Sequence, residues 1–348
     1  RESGVGISAS ERIVMARGWG SFVILARRVP FTSNELLLSK RFCDEKGFEM
    51  VWPLSAGVAS GGQEENALRS AVGNAIAGSP GSVQGELFDL SPVTDDSPYF
   101  HRFLKFRSLP EFRRLLGNQW VPFVEWGVVF LVLSLAASMA MAAACLLLPL
   151  AFVRLPDNAG GISFAGYFSA LGLAYMLVEL TYLKIGILII GDSIRAATAA
   201  IGGFAFFSGL GSAVSGSWES SSTMSRRVCP AIAIFALAGF LFLSMSEKFL
   251  LAGEVVPRTV VFLGSLAPAA FMMGVPFPAA LSRLSRAAPS SIPFAWGING
   301  FFSVAGASLA SVGALWIGFR GTVAAGCALY ILSGVLYSRL GKADSGRR

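Results

Sequence analysis

FAGYFSALGLAYMLVELTYLKIGILII, residues 164–190, is the stretch whose reading decides the fold. Roughly 27 nearly unbroken apolar residues, at about 1.5 Å each, reach across a hydrocarbon layer of about 30 Å with some tilt. The stretch reads as a membrane span. Glu179 stands near its middle, and Gly172, Tyr175, Glu179, Tyr182 and Gly186 recur at three- and four-residue steps, which puts them on one helix face. A carboxyl group turned to lipid costs roughly 2.5 kcal/mol or more, so this face is expected to look into a bundle or a wet cavity. Glu179 then has two readings: a hydrogen-bonded packing residue that fixes helix order, or a site for a ligand or proton.

The rest of the 348 residues shares this character, with 54% hydrophobic and 14% charged residues and a mean hydropathy of +0.62. Ordinary soluble domains carry roughly 25% charge. The net charge of +7 does not indicate nucleic acid, because the Lys and Arg residues sit in short loops beside apolar runs, where they set topology and meet anionic headgroups. Cys43, Cys145, Cys229 and Cys327 show no C-x-x-C spacing, so neither a disulfide framework nor a zinc site is expected. The single histidine, His101, removes most metal sites and the Ser-His and Cys-His nucleophile arrangements. The chain opens at Arg1 with no initiator Met or signal peptide, which reads as the C-terminal part of something longer.

Residues 1–55 read as a small α/β fragment. Residues 21–25, SFVIL, predict a strand; Thr32 with Glu35 forms a capping box opening a helix that stops at Gly47; residues 48–52 predict a second strand, ended by Pro53. So few elements cannot bury a core, and they are expected to be the edge of a larger sheet or to pair with another chain. Residues 56–119 are a linker: a Gly-, Ser- and Ala-rich run with one weakly helical piece, then LFDLSPVTDDSPYFHRFLKF at 87–106. Asp95, Asp96 and His101 are its titratable groups. Paired carboxylates suit a cation or acid–base work, whereas the plain reading is a turn closed by Asx-type caps. Arg102, Lys105, Arg107, Arg113 and Arg114 follow as a basic approach to the membrane.

Seven apolar segments fill the bundle region 120–340, at about 120–153, 163–190, 194–218, 228–245, 259–275, 293–318 and 321–340, before a basic tail at 341–348. Small-residue stripes predict close helix contacts through Gly202, Ala205, Gly209, Ser212 and Gly216 in the third segment, and through Ser303, Gly306, Ala310 and Gly313 in the sixth. Basic flanks before residue 120 and after residue 340 both argue for the inner side, which seven crossings forbid. A re-entrant 259–275, broken by Pro268, is one expectation that removes the conflict. The prolines at 276, 278, 289 and 293, with Trp296 and Asn299 at the mouth of the next helix, mark either a place for a solute or headgroup or a punctuated helix-helix turn.

Several stretches together resemble spermidine synthase-like integral membrane proteins, a polyamine aminopropyltransferase-like family. ARGWGSFVILARRVPFTSNELLLSKRFCDEKGFEMVWPL resembles the last strand-helix-strand of their methyltransferase-like domain, and DLSPVTDDSPYF resembles the joint after it. GLAYMLVEL, FFSGLGSAVSG, MMGVPFPAAL and PFAWGINGFFSVAGASLAS resemble the membrane motifs of that family, in matching order. The resemblance covers roughly residues 12–340. It implies a polytopic bundle preceded by the C-terminal fragment of a doubly wound (Rossmann-type) domain that takes S-adenosylmethionine or its decarboxylated form, with aminopropyl transfer as the activity. The nucleotide loop and catalytic Asp of true aminopropyltransferases have no counterpart in this chain, so no catalytic or cofactor-binding residue is assigned. Asp95, Asp96, Glu179, Pro276 and Asn299 match family motifs at polar or special positions; Ser97 departs from a position where the joint often has Arg.

Three functions compete. The chain is the membrane part of a spermidine synthase-like transferase, or a transporter or exporter bundle for a small molecule or polyamine, or an inert anchor. Tyr175, Glu179, Tyr182 and Asn299 are the candidate intramembrane site, and Asp95, Asp96 and His101 the candidate joint site. A buried carboxylate flanked by tyrosines suits an organic cation through charge-assisted hydrogen bonds and cation–π contact. The lipid bilayer is the expected partner, and a bacterial inner membrane the expected location.

Overall fold

The computed structural model describes residues 9–18, 22–53, 93–99, 110, 114, 126–144 and 161–340. They fall into two compact units, one of Arg1–Pro92 with Arg102–Val124, the other of Val93–His101 with Glu125–Arg348.

In the first unit, strands β1 (Ile13–Arg17), β2 (Phe22–Ala26) and β3 (Glu49–Trp52) form a sheet in the order β2-β1-β3, antiparallel at both junctions. Helix α1 (Ser33–Lys46) starts where the capping box requires. The Thr32 N–H donates to Glu35 Oε2 at 2.7 Å, and the Glu35 N–H donates to Thr32 Oγ1 at 3.4 Å. Gly47, at φ 71 and ψ 26, closes the helix in the left-handed region. Val14, Cys43 and Val51 are buried, while Val23, Ile24 and Leu25 stay about half exposed. Among the described residues of this unit no other apolar side chain is buried. β1, which carries the sheet's centre, is an element that the expectation of two strands leaves out.

Arg27 Nη1 and Nη2 donate to the Glu35 carboxylate at 2.7 and 2.6 Å. These bonds, followed by those from Thr32, hold the Glu35 carboxyl down to about 2. A depressed carboxyl contributes stability that is complete above its ordinary value of 4.5 and fades as the pH falls toward about 2. Protection of the α1 amides, taken relative to intrinsic exchange at each pH, is expected to fall across that window in the wild type. Glu35→Gln should flatten the dependence; an unchanged pH profile in the variant would refute the assignment.

The second unit is helical: α2 (Trp126–Ala142), α3 (Gly161–Ile190), α4 (Ser193–Ala213), α5 (Cys229–Leu251), α6 (Val255–Met273), α7 (Pro276–Ala287) and α8 (Ile292–Tyr337). Among the described residues five helices are long and apolar enough to cross a membrane: Ile162–Ile190, Ser193–Ala213, Met224–Leu251, Val255–Ala287 and Pro289–Tyr337; Gly127–Ala142 is a shorter apolar helix. α3 is the central post, with Tyr167, Phe168, Ala174, Val178 and Tyr182 all buried.

α8 is two helices in register with the sixth and seventh predicted segments. Gly318 breaks it with φ 75 and ψ 177. A Cβ on Gly306 would lie 3.0 Å from the Cβ of Met176, and one on Gly326 would lie 2.9 Å from Val178 Cγ2. Twenty residues of straight helix would separate those glycines by about 30 Å, so both can reach one turn of α3 only if α8 folds back on itself. The two arms form an antiparallel hairpin, the first parallel to α3 and the second antiparallel to it.

Two expectations need correcting. Residues 259–275 are not re-entrant: Arg258 Nη1 meets the Ile189 carbonyl at one end of α3, and the Tyr167 hydroxyl donates to the Pro276 carbonyl, at 2.8 Å, near the other. α6 therefore runs the length of α3, with Pro268 inside it. The third segment's contact side is also displaced. A Cβ on Gly202, Gly209 or Gly216 would meet nothing within 4 Å, whereas Gly203 and Gly211 face α6. Adjacent glycines in GGFAFFSGLG lie on different sides of a helix, and only packing selects which pair is used.

Candidate functional site

Glu179 projects from the middle of α3 into the bundle and is 8% exposed. Among the described residues it has no hydrogen bond or ion pair. Lys184, the nearest cation on α3, turns instead toward the ring of Tyr99, 5.9 Å away. Tyr175, one turn before Glu179, is half-buried with its hydroxyl 3.5 Å from Ser208 Oγ on α4.

Tyr330, on the second arm of α8, completes the surroundings. It is fully buried, and its hydroxyl has no hydrogen-bond partner among the described residues. An unsatisfied buried hydroxyl costs about 1–3 kcal/mol, and such exceptions often mark functional positions. Its position is legible in the sequence only as one of two tyrosines in an apolar segment, seven residues before Tyr337 and on the same face.

The other members of the intramembrane set stand apart. Tyr182 is a structural anchor: its hydroxyl donates to the Ala236 carbonyl at 2.7 Å, and its ring packs edge-on against Phe204 and Phe240. Asn299 donates from Nδ2 to the Phe168 carbonyl at 3.3 Å, and Gly172 lies against its own carbonyl. Phe168 precedes Glu179 by about three helical turns, or roughly 16 Å, so Asn299 and Glu179 do not share one site.

Within the joint, Asp96 is a helix cap. Its Oδ1 accepts the Arg320 N–H at 2.9 Å and its carbonyl accepts the Phe319 N–H at 2.9 Å, which satisfies the start of the second α8 arm. Tyr99 packs edge-on against Phe319. Asp95 is exposed and does not join the cap. Among the described residues no three His, Cys, Asp or Glu side chains gather where a metal ion would need them. His101 lies outside the described residues, as do Arg102, Lys105, Arg107 and Arg113.

No known protein family, curated protein or solved structure matches this chain. The polar groups on the facing helices are the Glu179 carboxyl and the Tyr175 hydroxyl of α3, Ser208 of α4 and the Tyr330 hydroxyl on the second arm of α8. That set can hold a small cation or exchange a proton.

Proposed function

We propose that this chain is the membrane-embedded portion of a spermidine synthase-like protein, whose bundle holds a small organic cation at Glu179. The observation that carries the reading is the buried Glu179 carboxylate without a cationic partner, with the unsatisfied hydroxyl of Tyr330 on the arm of α8 that packs against α3 at Val178. An ammonium ion would supply the missing charge and donate to both residues, with the tyrosine faces adding cation–π attraction. Polyamine is the cation that the resemblance suggests. Aminopropyl transfer with S-adenosylmethionine or its decarboxylated form would belong to an adjoining domain, and a bacterial inner membrane is the location that fits a cytosolic nucleotide. Export of the cation through the bundle is the second reading, favoured by the placement of Glu179 at mid-depth.

Glu179→Gln in the intact protein tests this. Removing a charge-assisted hydrogen bond costs about 1.5–3 kcal/mol, so polyamine binding is expected to weaken roughly 10- to 100-fold. Loss of vesicle uptake with transfer intact supports export; loss of transfer with uptake intact supports the transferase. Unchanged binding, uptake and transfer, at unchanged thermal stability, would leave only an anchor.

A further inference from the structure

The fold gathers arginines that are far apart in sequence onto one end of the bundle, around Tyr337. The Tyr337 hydroxyl donates to the Glu219 carbonyl at 2.9 Å, and the Arg283 guanidinium lies 5.3 Å from the Tyr337 ring. Arg286 pairs with the Glu219 carboxylate, which the hydrogen bonds of Ser282 and Arg286 hold below the ordinary carboxyl range. A Cβ on Gly334, one turn before Tyr337, would lie 3.3 Å from the Cα of Ser225, so Arg226 and Arg227 come next in the chain beside the same hub. Arg339 follows two residues after Tyr337. Arg226, Arg227 and Arg339 are exposed, and their side chains make no hydrogen bond or ion pair among the described residues.

The other end is different. Arg258 is spent on the carbonyls of Leu251 and Gly253, Arg320 lies against Asp96, and Asp95, Asp192, Glu247 and Glu254 offset the remaining Lys184, Arg195 and Lys248. At the Tyr337 end Glu219 is the sole described acid, and Arg286 occupies it.

We propose that the Tyr337 end is a docking surface for anionic phospholipid headgroups, with Arg226, Arg227 and Arg339 as the phosphate-contacting groups. Charge complementarity selects this occupant, and the flanking architecture fits a bilayer interface. α7 buries Ala279, Ala280 and Leu284 while presenting Arg286 outward, as an interfacial helix does. Trp218, edge-on to Phe271, stands at the same end, where indole rings favour the headgroup layer. In a membrane whose cytoplasmic leaflet carries the anionic lipid, this end faces the cytoplasm.

Nanodiscs of phosphatidylcholine, with and without phosphatidylglycerol, provide the test, read as retained lipid and as unfolding temperature. The wild type is expected to enrich phosphatidylglycerol and to unfold at higher temperature in its presence. The triple variant Arg226→Gln, Arg227→Gln, Arg339→Gln should lose this preference, on the order of 100-fold in affinity at about fivefold per arginine. Arg195→Gln with Lys248→Gln, at the opposite end, should keep it. Equal loss in that control, or a preference retained by the triple variant, overturns the proposal. An identical shift from inorganic phosphate in phosphatidylcholine discs also overturns it, by assigning the arginines to a free anion. If the triple variant does not fold, the wild type decides alone: a preference that weakens with added salt supports the proposal, and one that is absent or insensitive to salt overturns it.

Discussion

Gly211→Ala and Gly274→Ala are each expected to destabilise the bundle by about 1–3 kcal/mol, the usual cost of adding a carbon where there is no room. A Cβ on Gly211 would run into the Phe271 carbonyl, and one on Gly274 into the Ser208 carbonyl. Both obstacles are backbone atoms, which cannot rotate aside as a flexible side chain can. α4 and α6 would have to move apart, losing the close approach that small residues permit. Because either substitution separates the same two helices, the double variant should cost clearly less than the sum of the singles. Thermal unfolding in nanodiscs measures all three. Gly202→Ala and Gly209→Ala, which face open space, are the controls and should be neutral to slightly stabilising. Costs as large at those positions would mean that the helices pack on another face. Ser208 is also the partner of Tyr175, so Gly274→Ala should weaken cation binding at Glu179 in proportion to the shift of α4.

Gly318→Ala should have the second large effect. Gly318 has a φ of 75, where an L residue costs of order 1–3 kcal/mol, and its Cβ would occupy the place of the Asp96 carboxylate. The substitution thus strains the hairpin turn and expels the cap of the second arm together. Asp96→Ala removes the cap alone and is expected to cost about 0.5–2 kcal/mol, with Asp96→Asn milder because it keeps an acceptor. Limited proteolysis near residue 318 and thermal unfolding distinguish the three variants. A Gly318→Ala protein as stable as wild type would show that the arms join by another geometry.

The role of Asp96 shows why local reading reaches only part of the joint. TDDSP contains the residues of a capped turn, and a capped turn is what forms: the Ser97 N–H donates to the Thr94 carbonyl at 2.9 Å. Which helix the turn caps depends on a contact across 224 residues of sequence. The same contrast separates Thr32 from Tyr330. The capping box acts within four residues and is legible as written; the orphan hydroxyl of Tyr330 acquires its meaning only from α3 lying beside it.

Periodicity and turn chemistry, both short-range, suffice to place α1 with its caps, the apolar length of α3, the inward side of Glu179 and the break between the two arms of α8. Hydrophobic length and helical spacing are properties of a segment by itself, so no tertiary information is needed to read them. The tertiary structure alone decided that Asn299 stands away from Glu179 and that Tyr182 serves as an anchor. It also decided that Gly203 and Gly211, in place of Gly202 and Gly209, meet α6, and that the arginines divide unequally between the two ends. Each depends on which faces of different helices meet. Lipid-soluble segments are apolar on nearly every side, so their sequence says little about that choice, and close packing of backbone and side chains makes it.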